Sequence, residues 1–492
     1  MAETLVQLRH VDANTEEFLE QAAESKFDFH QVSVKAAGDE RLKTAINNAV
    51  MRQYTGRQLR MLDLPDPDGL RALAGDIKQH ALDHLDYYLE QLATNVRKNG
   101  GVVHFARDGE EAKRIIVNIA ARANVTRCIK SKSMVSEEIN LVHALEQAGL
   151  DVVETDLGEF IVQISHDKPS HLVAPIVHKD RASIAKLFSE YFNTPYNDDP
   201  RALTMQARVY LRDKFRSSDF GMTGGNFLVA ETGQLCCVEN EGNQRQSITT
   251  PRVLVSLVGI EKVVPRMADL AVMLKLLSRS ATGQPITIYT NIFGGPRLPS
   301  EKDGPEEFHL VLIDNGRSEI LASEEYRETL RCIRCGACLN ACPIYRKIGG
   351  HAYGSVYPGP IGALITPLFQ GLGNFKDLPQ ASSLCGACYE ACPVKINIPR
   401  HLVNLRRDIN AQHLNSPIER AVYRFWAWSL KSPFLYKVIS TLQKWDLRGR
   451  AEDTGWVNDL PAIAAGWTQI RDMPAPAPRT FHQMWRRRRK HA

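Results

Sequence analysis

The sequence contains no run of 18 uncharged apolar residues, so no membrane-spanning helix is expected. Its first thirty residues are polar and acidic and have no apolar core, so no secretory signal is expected either. GxGxxG, the P-loop and G-x-S-x-G are all missing. Their absence removes the usual cradle for a dinucleotide, the backbone nest for nucleotide phosphates and the strained turn that presents a serine nucleophile. No flavin, nicotinamide or nucleotide site is therefore visible. Excess charge is scarce as well. The formal net charge is +5 over 492 residues, and Arg486, Arg487, Arg488, Arg489 and Lys490 account for all of it. The neutral remainder excludes a nucleic-acid binder that works through a broad basic face. The composition, 43% hydrophobic and 24% charged, suits a soluble protein long enough for two or more domains with sizeable cores.

Cysteine is scarce outside one stretch: seven of the ten fall between Cys332 and Cys392. The first group, Cys332, Cys335, Cys338 and Cys342-Pro343, reads C-x2-C-x2-C-x3-C-P. The second, Cys385, Cys388 and Cys392-Pro393, repeats it without the first cysteine. A C-x2-C-x2-C loop can wrap three corners of a cubane cluster, and in two-cluster ferredoxins the fourth cysteine of each motif serves the other cluster. Zinc is the main competitor, because C-x2-C pairs also build zinc ribbons. Three cysteines at two-residue spacing followed by Cys-Pro suit a tetrahedral site poorly. The spacing therefore points to iron–sulfur chemistry and one-electron transfer, with one [4Fe–4S] cluster on Cys332, Cys335, Cys338 and Cys392. A second would use Cys342, Cys385 and Cys388. Ser382 stands three residues before Cys385, where a fourth thiolate would be. That leaves a [4Fe–4S] cluster with a non-cysteine ligand, an open iron, a [3Fe–4S] cluster, or no second cluster. Ligands of this kind in a chain without a secretory signal place it in the cytoplasm, where thiols stay reduced.

The rest of the chain divides by pattern. Residues 1–69 read as a peripheral helical segment, closed by the breaker Leu62 to Pro67. A long helix is expected from Asp68 to Lys98. In 70–316, strands alternate with helices: strands at 102–105, 126–129, 151–154 and 160–164, a helix with Ala112, Ile115, Ile116 and Ile119 on one face, and another from Ser136. This argues a parallel α/β sheet. Runs 227–230 and 235–238 read as buried strands joined by a turn at Thr232-Gly233, with a further strand pair at 286–289 and 309–313. Residues 317–412 hold the cysteines, starting with a short helix near Ser323. The 42 residues between the motifs make this a helical or loop-rich region. Residues 413–492 carry Phe425, Trp426, Trp428, Phe434 and Trp445, which suit a partner or the protein's own body better than a membrane surface. Met473 to Pro478 and the basic end read as disordered or partner-bound.

Several polar groups have two readings each. Gly224-Gly225-Asn226, Glu231-Thr232-Gly233 and Glu239 to Asn243 stand at strand ends, which suits a ligand crevice and tight turns alike. Lys130-Ser131-Lys132-Ser133 precedes a helix, where an anion can sit; a solvated loop is the plainer reading. His171 and His178 flank Pro175, and ordinary structural histidines are favoured over a metal pair. Cys236 and Cys237, inside an apolar run, read as core.

With these residues named, the chain resembles the lactate utilization protein B family. The match is carried by Lys130-Ser-Lys-Ser-Met134 through Glu137-Glu138, Glu154 to Glu159, Pro169-Ser-His171, Pro175 with His178, Gly225 to Gly233, Asn240 to Asn243 and the cysteine motifs. The resemblance implies a lactate-utilization α/β domain, similar to ribose-phosphate isomerases and CoA transferases, then a mainly α-helical ferredoxin-type two-cluster domain. It implies a second cluster held by the three cysteines Cys342, Cys385 and Cys388. It also implies an electron-carrier role beside two other lactate-utilization proteins that together oxidise L-lactate to pyruvate. The acceptor would be a further carrier or a quinone-linked partner, reached from the cytoplasm or from the periphery of the inner membrane. Two other functions stay open: the α/β domain itself acts on a hydroxy acid or acyl compound with the clusters as electron outlet, or the clusters only hold the fold. No catalytic residue is identifiable.

Overall fold

The computed structural model describes residues 27–451, 455–461, 465–468 and 471–491. The chain forms two compact units that divide between Ala411 and Gln412. In the first unit the strands are β1 (Val102–Ala106), β2 (Arg127–Lys130), β3 (Asp151–Glu154), β4 (Phe220–Thr223), β5 (Phe227–Val229), β6 (Gln234–Glu239), β7 (Val253–Gly259), β8 (Val263–Val264), β9 (Tyr289–Phe293) and β10 (Glu307–Ile313).

Six of them make one sheet in the order β1-β10-β7-β4-β2-β3, and every neighbouring pair is parallel. A parallel sheet is covered on both faces and needs apolar residues at successive positions. Strand β7, Val-Leu-Val-Ser-Leu-Val-Gly, is buried along its whole length. Val253, Val255 and Leu257 pack with Ile116, Leu145 and Phe220 on one face. Leu254 and Val258 pack with Leu92, Val96 and Leu235 on the other. The expected helix after β1 spans Gly109–Arg122, buries Ala112, Ile116 and Ile119, and is capped by the Asp108 side chain, which accepts from the Glu111 N–H.

The other four strands form a small mixed sheet, β8-β5-β6-β9, with β5 and β6 antiparallel across the expected turn. Alternation splits it between two cores. Leu228 and Leu235 face the large sheet, while Phe227, Val229 and Cys236 belong to the core of the cysteine-rich region. Cys237 and Cys128 are buried as well, so all three cysteines outside the motifs are core residues. Residues 317–411 contain helices and turns and, among the described residues, no strand.

Several expected elements differ. Residues 160–164 are helical, within Leu157–Ile164, because Asp156 caps this turn by accepting from the Gly158 and Glu159 N–H groups. A short apolar run does not reveal its own period. The helix expected over 68–98 breaks at His84 into Pro67–Asp83 and Leu85–Lys98. The helix expected from Ser136 is two, Met134–Glu138 and Leu141–Gln147, separated by Asn140 in the left-handed region at φ 52°. The strands near 289 and 309 are not partners: β9 pairs with β6, and β10 lies between β1 and β7. Ser323 does not start a helix: it caps the end of the helix Arg317–Ala322, and a 3₁₀ turn, Arg327–Arg331, follows. The helix Glu40–Met61 is not peripheral, since Ile46 and Val50 are fully buried among Tyr345 and Ile348. The basic residues on its other positions had masked that narrow apolar face. The first 26 residues, where the secretory-signal expectation falls, lie outside the described part.

In the second unit, Pro417–Leu430 and Pro433–Arg450 are helices capped by Ser416 and Ser432. Their aromatic residues stay on the surface, Phe434 at 73% and Trp445 at 80% exposure. The tail expected to be disordered or partner-bound is ordered in part. Met473–Pro474 pairs antiparallel with Trp456–Val457, and Phe481–His491 is a helix carrying Arg486 to Arg489.

Candidate metal centre and adjoining crevice

The two cysteine motifs fold alike. Arg334 and Leu384 have φ of 59° and 54°, and Gly336 and Gly386 have φ of 76° and 85°. Each glycine starts one turn of helix, Ala337–Ala341 or Ala387–Ala391, which ends on Cys342 or Cys392. The left-handed glycine reverses the chain so that cysteines on both sides of it face inward. The likeness extends to the missing ligand. Cys332 Sγ accepts from the Arg334 N–H at 3.4 Å, and Ser382 Oγ accepts from the Leu384 N–H at 3.1 Å. Ser382 therefore occupies the structural place of Cys332.

All seven thiols are free, and all but Cys332 and Cys385 are buried. Their electrostatic neighbours fall into two groups that meet at Cys338 and Cys388. Burial, then the thiols of Cys392 and Cys332, push the Cys335 thiol up to about 12. Burial and the thiols of Cys335, Cys332, Cys388 and Cys392 raise Cys338 well above its ordinary value, so Cys388 lies near both groups. Burial raises Cys342, with Cys385 as its thiol neighbour. Burial and Cys342 push Cys388 up to about 12. Cys392, from the second motif, thus sits beside the first, and Cys342, from the first, beside the second. Such thiols ionise only when a metal supplies the compensating charge. Backbone N–H groups point at sulfur from Tyr345 to Cys342 at 3.4 Å and from Ile396 to Cys392 at 3.3 Å. Soft sulfur donors with N–H groups aimed at them fit iron–sulfur clusters.

Buried cations surround this core. Arg71 donates to the Cys392 carbonyl at 3.0 and 2.9 Å and to the Glu390 carbonyl at 2.8 Å. Lys78 donates to the carbonyls of Glu261 and Val263. Arg317 pairs with Glu261 at 2.6 Å and with Glu138 at 2.9 Å, all three inaccessible to water. Burial alone would raise Glu261, but Arg317, Lys262 and Arg334 outweigh it and hold the carboxyl down at about 2. None of these cations was read from the sequence. The one available signal was Lys78, a charge on the buried face of the helix that carries Ala74 and Leu82.

A crevice of about 280 Å³ opens beside the first motif. It lies at the carboxyl ends of the parallel strands. Lys132 and Ser133 follow β2, Asp156 follows β3, and Gly224 and Gly225 follow β4, with Leu257 near the end of β7. Ligands bind at such strand ends in open α/β sheets. Asn226 and Glu239 to Glu241 line it too, and its other wall is Lys262, Arg334, Cys335 and Tyr357. The strand-end residues 224–226, 239–241 and 243 are therefore crevice residues. Glu231-Thr232-Gly233 is a turn, held by Asn95 and Asn99 side chains donating to the carbonyls of Ala230, Glu231 and Thr232. Burial, then Asp156, push Glu241 up to about 7.

Lys130 to Ser133 form neither a solvated loop nor an open anion site. Lys130 is fully buried and paired with Glu154 at 2.7 Å, and Lys132 pairs with Glu159 at 2.8 Å. Glu137 lies among them with both carboxylate oxygens buried and unpartnered. His171 and His178 do not make a metal pair. His171 Nδ1 accepts from the N–H groups of Val173 and Ala174, and its Nε2 pairs with Asn340 Oδ1 at 3.1 Å, so both nitrogens are used. Asn340 lies in the first cysteine helix, which makes His171 a brace between the α/β region and the cysteine loop. Ser170 and Lys168 extend the brace, their carbonyls accepting from Tyr345 Oη–H and pairing with His351 Nε2, both at 2.6 Å. His178 lies instead with Asp167 and His351.

Three family models match the chain: a LUD domain over residues 89–313, a 4Fe-4S dicluster domain over 328–396, and the C-terminal domain of lactate utilisation protein B over 408–490. Among curated relatives, "Lactate utilization protein B" of Bacillus licheniformis is 46% identical, covering 92% of this chain and 95% of its own. The proteins of that name from Bacillus cytotoxicus and Bacillus cereus are 44% identical over the same shares.

Proposed function

Because this chain belongs to the lactate utilization protein B family, we propose that it is the iron–sulfur electron-transfer subunit of a complex that oxidises L-lactate to pyruvate. Two clusters carry the electrons. The first is held by Cys332, Cys335, Cys338 and Cys392 and the second by Cys342, Cys385 and Cys388. The observation that carries this reading is the exchange of the two last cysteines, with Cys392 beside Cys332 and Cys335 and Cys342 beside Cys385 and Cys388. Crossed ligation of that kind keeps two clusters close, as stepwise transfer requires. The clusters supply one-electron chemistry when bound. The chain's own residues hold and insulate them: Arg71 fixes the Cys392 turn, and His171 fixes the helix between Cys338 and Cys342.

Two other lactate-utilization proteins complete the complex, and a quinone-linked or soluble carrier accepts the electrons. No helix of the described residues is long and apolar enough to cross a membrane. That supports work in the cytoplasm or at the inner-membrane surface, with the exposed aromatic helices of the second unit as a contact face. The parallel sheet with a crevice at its strand ends supports an α/β domain of the ribose-phosphate isomerase and CoA-transferase kind. The crevice also favours a second reading, in which this domain holds the acid being oxidised. Mixing the anaerobically purified chain with its two partner proteins and L-lactate tests the main reading. The clusters are expected to be reduced by L-lactate as they are by dithionite. Clusters that dithionite reduces and L-lactate does not would overturn it.

A further inference from the structure

One wall of the crevice beside Cys335 is cationic, while Asp156, Glu239 and Glu241 line other parts of it. Lys262 is 6% exposed and lines it, yet its ammonium has no hydrogen-bonded or ion-paired partner among the described residues. Arg334 lines the same cavity with a side chain only 9% exposed. Its Nη1 is buried without a partner. Its Nη2 stands 3.7 Å from Glu261 Oε1, beyond hydrogen-bond length, and its guanidinium lies over the Tyr357 ring at 4.6 Å. Glu261 spends its other oxygen on Arg317. Two buried cations thus face one small cavity with donors unused. Leaving a buried donor such as Arg334 Nη1 unmet costs free energy that a bound anion recovers. The remaining wall is polar. Asn240 is spent on Gln284 and the Ile288 N–H, but Asn226 Nδ2, the Ser133 hydroxyl proton and one Glu241 oxygen have no partner among the described residues and can meet a hydroxyl or keto oxygen.

We propose that this crevice binds a small 2-hydroxy or 2-oxo carboxylate, its carboxylate held by Lys262 and Arg334 and its second oxygen directed to the asparagine and acid wall. The assignment rests on the lactate reading above and places the acid against the loop that carries Cys335. An arginine fork and a lysine together suit a planar carboxylate.

The test is binding by the anaerobically purified, cluster-loaded chain. It is titrated by calorimetry with L-lactate, pyruvate and oxamate, and with uncharged lactamide as control. Saturable binding of the carboxylates is expected, with none for lactamide. Lys262→Met should weaken it at least about tenfold, the size of one lost charged hydrogen bond. Thr287→Trp, which adds bulk at a half-buried lining position and removes no charge, should weaken it as well and serves if Lys262→Met does not fold. No saturable carboxylate binding overturns the proposal. So does binding that Lys262→Met leaves unchanged while the potential of the neighbouring cluster moves, because the lysine then serves only the sulfur charge. Reduction of the clusters by L-lactate with partners present is a separate readout. If it persists without binding here, the acid sits on another subunit and the electron-transfer reading stands.

Discussion

At the scale of single residues, the site is defined by which charges and lone pairs have partners. Ser382 occupies the place of Cys332, down to the N–H bond from the residue two positions on. Ser382→Cys should therefore add a fourth thiolate to the second site. EPR of the dithionite-reduced variant should show an altered second-motif signal and an unaltered first; two unaltered signals would mean that position 382 does not reach that cluster. The Lys130–Glu154 pair is sealed from water. Lys130→Met leaves a buried carboxylate alone and should cost about 3–5 kcal/mol. The double variant Lys130→Met/Glu154→Met should recover most of that in denaturant unfolding, and equal losses in both would contradict the pairing. Glu137 gives a pH dependence. Burial and then Glu159 push it from 4.5 up to about 8. Between those values the folded chain holds a proton that the unfolded chain has released, so stability falls as pH rises through that window. Glu137→Gln should flatten the slope of the apparent Tm between about pH 5 and pH 8, and an unchanged slope would refute the assignment. Of these residues the cysteines and Ser382 were legible in the sequence, because their spacing is local. Lys262, Arg334 and Arg71 gain their meaning from segments far away in the chain.

At the scale of elements, legibility followed period and caps. The helix Gly109–Arg122 and strands β1 to β3 were readable because amphipathic period or β-branched runs were bounded by turns. The helix Leu157–Ile164 was not, since five apolar or neutral residues in a row carry no period and the deciding feature was the Asp156 cap. The break at His84 and the left-handed Asn140 were equally silent. Glycine inside the motifs offers a direct comparison. A Cβ on Gly386 would meet nothing within 4 Å, whereas one on Gly336 would stand 3.3 Å from His171 Cε1. Both positions have positive φ, so alanine should cost about 1–2 kcal/mol at each. Gly336→Ala should lose more than Gly386→Ala, because it also presses on the His171 brace. Unfolding of the two cluster-loaded variants checks the order, and equal losses would show that the brace yields freely.

At the scale of the molecule, the large parallel sheet, the small mixed sheet and the cysteine-rich region are layered, and the small sheet shares its residues between the two cores. That layering brings the strand ends of the α/β region against the first cysteine loop and creates the crevice. The sequence pattern supplied both partners, as polar strand ends and as a cysteine motif, but nothing local said that they would meet. The crossed placement of Cys342 and Cys392 is the feature on which two-cluster electron transfer depends. Its most direct test is cluster-resolved EPR, with iron and sulfide analysis, of anaerobically purified wild type and Cys342→Ala. The account predicts two reducible clusters in the wild type, and in the variant loss or conversion of the second-motif cluster with the first intact. Zinc without a reducible cluster in the wild type, or a loss confined to the first-motif cluster in Cys342→Ala, would contradict it.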